Sequence, residues 1–128
     1  MPAYTPEDAD RLLCEAISAG DLEAALAFYE PEARFVAEPG NVVTGKEAIR
    51  QVMSHFLALR PTLTLEKVTA VQAGDIALLA STWSLVGTGP DGTPVRMSGQ
   101  GREVVRRQPD GTWLRVLDQP EFTRPRQD

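Results

Sequence analysis

Apolar residues recur every three or four positions before Arg60-Pro61 and every second position after it. A chain that changes period once, near its middle, reads as helices first and a sheet second, each half covering the other. In "TPEDADRLLCEAISAG" Thr5 stands as N-cap, Pro6 takes the first helical position, and Glu7 and Asp8 face the positive end of the dipole. Ala9, Leu12, Leu13, Ala16 and Ile17 then form one apolar stripe, and Gly20 closes the helix. Asp21 caps a second helix, "DLEAALAFYE", which Pro31 ends, and residues 33–38, "ARFVAE", read as a short strand. Thr44 and Glu47 fit a capping box for a third helix, with Ala48, Ile49, Val52, Met53 and Phe56 as its stripe.

Four strand candidates follow: "TLTLEKVTAVQ", "DIALLASTWSLVG", "VRMSGQGREVVRRQ" and "TWLRVLDQ". "AGD", "TGPDGT" and "QPDGT" between them are hairpin turns. Leu63 and Leu65 share one parity and Val68 and Ala70 the other, so a bulge near Glu66 and Lys67 is expected, of the kind that curls a long sheet. The prediction is an α+β domain over residues 1–128: a curved, mostly antiparallel sheet closed by three helices into a hollow cone.

Bulk properties narrow the partners. A length of 128 residues suits one domain, and net charge −5 with no basic stripe argues against nucleic acid. A single cysteine, Cys14, leaves no intrachain disulfide and no multi-cysteine zinc site. "MPAYTPEDAD" lacks the basic head and apolar run of a signal peptide, and no run approaches a membrane helix, so a cytoplasmic protein off the membrane is expected.

"SAGDLEAALAFYEPEARFVAEP", "GKEAIRQ" and "DGTWLRVLDQP", with the order of elements, resemble the nuclear transport factor 2-like superfamily, in its SnoaL-like and ketosteroid-isomerase-like branch. The resemblance spans nearly the whole chain and implies the cone, the cystatin-like roll, without choosing a chemistry. In ketosteroid isomerases the general base is the acid before the proline that follows the first strand. "AEP" puts Glu38 there, before Pro39. The oxyanion-hole acid of that family corresponds to Glu103, to within one residue. Its oxyanion-hole tyrosine falls at Leu13 or Leu12, so that tyrosine is missing.

Each candidate carries two readings. Glu38 is a pocket base or a solvated turn acid. Alternation groups Glu103 with Val95, Met97, Gly99, Gly101 and Val105, on an otherwise apolar face, where a carboxyl would be desolvated and held neutral. Ketosteroid isomerases use a protonated acid in this way, as a hydrogen-bond donor in the oxyanion hole. A bulge at Gly99 or Gly101 would instead return Glu103 to solvent. Asp118 shares parity with Leu114 and Val116, either lining the cone or capping the strand before Pro120. Leu13, Val52, Phe56, Trp83 and Val116 are the expected ligand-contacting residues, although both parities around Trp83 are apolar and its face stays open. His55 lies at the edge of its helix's stripe, without metal spacing, and Cys14 lies off the first stripe with no base nearby.

The expected function is a small-molecule-binding domain for an apolar ligand, with no metal or organic cofactor. It is either an acid/base enzyme of isomerase, cyclase, dehydratase or hydrolase type, or a non-catalytic binding or association module. Strand 75–87 is apolar on both parities, which predicts a covered outer face and a homodimer.

Overall fold

The computed structural model describes residues 1–123. The order is α1 (Pro6–Ser18), α2 (Leu22–Leu26), β1 (Tyr29–Glu38), β2 (Asn41–Thr44), α3 (Lys46–Leu57), β3 (Thr62–Ala73), β4 (Ile76–Thr88), β5 (Pro94–Arg107) and β6 (Trp113–Thr123). Thr5 accepts a hydrogen bond from the Asp8 amide at 3.2 Å, and Asp21 accepts one from Ala24 at 3.0 Å. Each cap satisfies an amide that its helix cannot, which is worth about 1 kcal/mol.

The strands form one six-stranded sheet in the order β2-β1-β6-β5-β4-β3. Neighbours are antiparallel except β1 and β6, which run parallel. α1 and α3 cover its inner face, and Ala9, Ile49, Ala77, Leu79 and Val105 are fully sealed between the layers. The bulge expected in β3 falls at Glu66, where pairing steps from Leu65↔Trp83 to Lys67↔Thr82. Among the described residues no helix is long and apolar enough to cross a membrane.

Three local expectations are corrected. The second helix stops at Leu26 rather than continuing to Glu30, and β1 begins at Tyr29. Phe28 and Tyr29 are buried, and the Phe28 carbonyl accepts from the Arg115 amide at 2.7 Å, so these residues are taken by the sheet. Pro31 sits where the β1–β6 ladder is interrupted, between Tyr29 and Arg34, so its missing N–H breaks no pairing. Secondly, β2 is an unforeseen edge strand, and it absorbs Thr44, which therefore does not cap α3. Gly45 takes the capping position at φ 94°, a conformation open to glycine, and Glu47 bonds Arg50 instead. Thirdly, β6 carries a bulge of its own. Val104 pairs Leu117 while Val105 pairs Arg115, leaving Val116 as the extra residue.

Candidate functional site

The bulge at Val116 decides what β6 presents to the cone. Before it Trp113 and Arg115 point inward; after it the inward parity passes to Asp118 and Pro120. Without the bulge, Arg115 and Asp118 would lie on opposite faces. On β5 the alternation is unbroken, so Glu103 faces inward beside Gly101 and Gly99. A methyl group at Gly101 would meet Ser81 Oγ at 2.8 Å and Glu103 Oε1 at 3.1 Å, so a larger residue there would displace the Ser81–Glu103 contact.

Between sheet and helices lies a cavity of about 350 Å³, within the range of small-molecule sites. Leu13, Ile17, Phe35, Val52, Met53 and Phe56 line the α1, β1 and α3 side, and Leu63, Leu65 and Trp83 line the β3–β4 side. Its polar end is built from five elements: Asp10 of α1, Tyr29 of β1, Ser81 of β4, Glu103 of β5, and Arg115 with Asp118 of β6.

Arg115 organises this end. Its guanidinium pairs with Asp10, donates through Nη1 to the Ala9 carbonyl at 2.8 Å, and stacks 5.7 Å from the centre of the Tyr29 ring. Nε lies 3.3 Å from Asp118 Oδ2, in ion-pair contact but not aligned as a hydrogen bond. Tyr29 Oη donates to the same Oδ2 at 2.6 Å. Both contacts fall on Oδ2. Asp118 Oδ1 has no hydrogen-bond partner among the described residues, and unlike Asp10 Oδ2 and Glu103 Oε2 it is not closed off.

Two carboxylates, Asp10 and Asp118, share one guanidinium, and Glu103 is the third acid of the cluster, bonded to Ser81 instead. Burial, reinforced by the charges of Asp10 and Asp118, pushes Glu103 up to about 9, so it carries its proton at neutral pH. Ser81 Oγ donates to Glu103 Oε1 at 3.1 Å, which leaves the proton on Oε2. Burial also raises Asp10, against the pull of Arg115. Burial opposes the charge on Arg115, but Asp10 and Asp118 outweigh it and its affinity for the proton rises. Tyr29 is raised by burial and then by the Asp118 charge, so it stays a donor. Cys14 lines the cavity and is pushed up to about 12, chiefly by burial, which keeps it a thiol rather than a nucleophile.

Of the residues singled out from sequence, Glu103, Asp118, Leu13, Val52, Phe56 and Trp83 come together around the cavity. Glu38 does not: it is exposed at the end of β1, where the β1–β2 register shifts, and is absent from the lining. Val116 does not either, because it is the bulged residue. His55 is exposed and touches the cavity at its rim, with Nδ1 2.8 Å from the Gln51 carbonyl oxygen. Among the described residues no group of three or more His, Cys, Asp and Glu is arranged as a metal site.

Sequence reasoning misses Asp10, Tyr29, Ser81 and Arg115. Asp10 has a readable signal, since Asp10, Leu13, Cys14 and Ile17 are spaced i, i+3, i+4, i+7 and all line the cavity. Tyr29 falls inside a segment with helical spacing. Arg115 requires the bulge, which no turn residue announces.

The same fold is found in known structures. A ketosteroid isomerase-like protein from Erwinia carotovora atroseptica superposes with a TM-score of 0.79 at 17% identity, over 93% of this chain and 94% of that one. A candidate aromatic ring hydroxylase from Novosphingobium aromaticivorans gives 0.81 at 22%, over 93% and 87%. A nuclear transport factor 2-like superfamily protein from Salmonella enterica serovar Typhimurium gives 0.78 at 17%, over 94% and 88%. A search of curated proteins finds no match. At these identities the likeness is one of fold. The profile of the SnoaL-like domain, however, matches residues 10–116, from the aspartate that opens the polar cluster to the bulge that completes it, and the chain belongs to the SnoaL-like domain family.

Proposed function

We propose that this SnoaL-like domain binds a small, mainly apolar molecule in its cavity and performs cofactor-independent acid–base chemistry on it. The reaction is of isomerase, cyclase, dehydratase or hydrolase type. Asp118 accepts a proton through Oδ1, while Arg115 and Tyr29 hold its other oxygen. Glu103 stays neutral beside it, with Oε2 closed off from the cavity, and so adds no second charge next to Asp118. One observation carries this reading: an open carboxylate oxygen beside a carboxyl group that keeps its proton at neutral pH, at the polar end of an apolar cavity. A carboxylate that takes up a proton can return it as the acid later in the same cycle, so Asp118 serves both steps. Glu38 has no part in it, because it is exposed and outside the lining.

The test is a screen of small hydroxyl- and carbonyl-bearing apolar compounds in D₂O, read by mass spectrometry for deuterium uptake or loss of water. For any compound turned over, Asp118→Asn is expected to slow the reaction by about 10²–10⁴-fold, the usual worth of a positioned acid or base. A variant as fast as the parent overturns the assignment. Compounds bound but never converted would support the second reading, a binding module, which the exposure of Glu38 favours.

The partner reading is a second copy of this chain. Val71, Leu78, Val104 and Leu117 pair across β3, β4, β5 and β6, forming one apolar row on the outer face of the sheet. Val71 is 71% exposed and Leu78 49%, so the described residues leave the row without a full cover. Light scattering that gives a monomer at micromolar concentration would remove this reading.

A further inference from the structure

We infer that the ligand of this cavity is a neutral apolar molecule that presents a hydroxyl group, as hydrogen-bond donor, to Asp118 Oδ1. The inference rests on the reading of the cavity as a small-molecule site and names the class of molecule it takes.

The hydrogen-bonding groups at the polar end divide into open and closed ones, and among the described residues no charged or hydroxyl donor there is open: each is bonded or, like Arg115 Nε, buried against an acid without a hydrogen bond. Arg115 is sealed at 2% side-chain exposure, and its three nitrogens face Ala9, Asp10 and Asp118. Tyr29 Oη is spent on Asp118 Oδ2, and Ser81 Oγ on Glu103 Oε1. Glu103 Oε2 and Asp10 Oδ2 are closed off from the cavity. Asp118 Oδ1 is open, and it is an acceptor. A ligand therefore has to bring the proton of the hydrogen bond.

That requirement sorts the functional groups. An ether or a ketone has lone pairs only, and would set them against a carboxylate oxygen. A carboxylate or phosphate would find no free guanidinium or ammonium among the described lining residues, because Arg115 is already shared by Asp10 and Asp118, and would add charge beside two carboxylates. An alkylammonium has three donors for one open acceptor, so its remaining N–H groups would be desolvated without partners. A hydroxyl has one donor to give. The rest of the ligand meets Leu13, Phe56, Leu63 and Trp83, which ask only for apolar surface.

The experiment compares four probes on one ring system, 2-naphthol, 2-methoxynaphthalene, 2-naphthoate and 2-naphthylmethylammonium, by isothermal titration calorimetry on the full chain. Naphthol is expected to bind about tenfold or more tightly than the ether, the size of a hydrogen bond to a charged acceptor. Naphthoate and the ammonium are expected to bind more weakly than the ether. In Asp118→Asn the amide oxygen can keep the Tyr29 bond and turn its NH₂ to the cavity, so the naphthol preference should collapse or invert while the ether is unaffected. Equal affinity for naphthol and ether, or tighter binding of either ion, overturns the inference and leaves the cavity reading standing. Binding of none of the four overturns both. Because the parent protein alone decides between these outcomes, a poorly folding variant does not rescue the idea.

Discussion

Arg115–Asp10 and Arg50–Glu23 join the same two chemical groups, one pair inside the cone and one on its surface. The inner partners are each 2% exposed, the outer ones 36% and 71%. On the surface, water solvates whichever partner is released, so the pair adds little. Inside, no water replaces a lost partner, so the protein must supply every contact, and where it does not, the proton balance shifts instead. Glu103 shows this: with the one guanidinium taken by Asp10 and Asp118, the third acid keeps its proton. Burial turns an ordinary ion pair into a site with directional chemistry.

The largest effect expected from this contrast is on stability. Asp10→Ala leaves a buried guanidinium short of its partner and should cost about 3–5 kcal/mol in chemical denaturation. Asp10→Leu and Arg115→Met combined with Asp118→Asn removes the cation together with both acids it pairs, and should recover most of that loss, because a packed apolar set often equals a buried ion-pair network. If the triple variant is as unstable as the single one, the network is structural and the comparison fails.

A pH effect of intermediate size follows from Glu103. Its folded value of about 9 lies above its ordinary 4.5, so between those values the folded state holds a proton that the unfolded state has released. Stability therefore falls as pH rises through this window and levels off above it. The denaturation midpoint should decline from about pH 5 to about pH 9, and Glu103→Gln should flatten the decline. A slope unchanged by Glu103→Gln would show that the proton is held elsewhere.

The smallest effect belongs to the surface. Arg50→Ala should leave the denaturation midpoint unmoved within error, since both partners are solvated once separated. A loss approaching that of Asp10→Ala would erase the distinction between the two regions.

How much of this is legible in sequence varies by element. The helix caps, the four hairpin strands, the bulge at Glu66 and the inward face of Glu103 follow from spacing and turn chemistry within a few residues of each position. Parity with Leu114 and Val116 points Asp118 inward for the wrong reason, since neither of those residues shares its face. Tyr29 is hidden because "DLEAALAFYE" carries good helical spacing and only the sheet's claim on its last residues ends it. Glu38 fits a pattern of order along the chain, but its burial depends on the β1–β2 register shift, which leaves it in water.

Taken alone, the sequence determined the class of architecture: helical spacing that gives way to long alternating runs after Arg60-Pro61, with capping residues and turn glycines, admits few arrangements other than helices laid against a curled sheet. It also put an acid on an apolar face at Glu103. The tertiary structure decided which charges meet. Asp10, Arg115 and Asp118 are separated by up to 108 positions along the chain, and their contact depends on one extra residue, Val116, that reverses the parity of a strand. Alternation is a local rule that sequence displays, whereas a bulge is set by how two strands must curve to close around helices, and that is known only once the whole cone has formed.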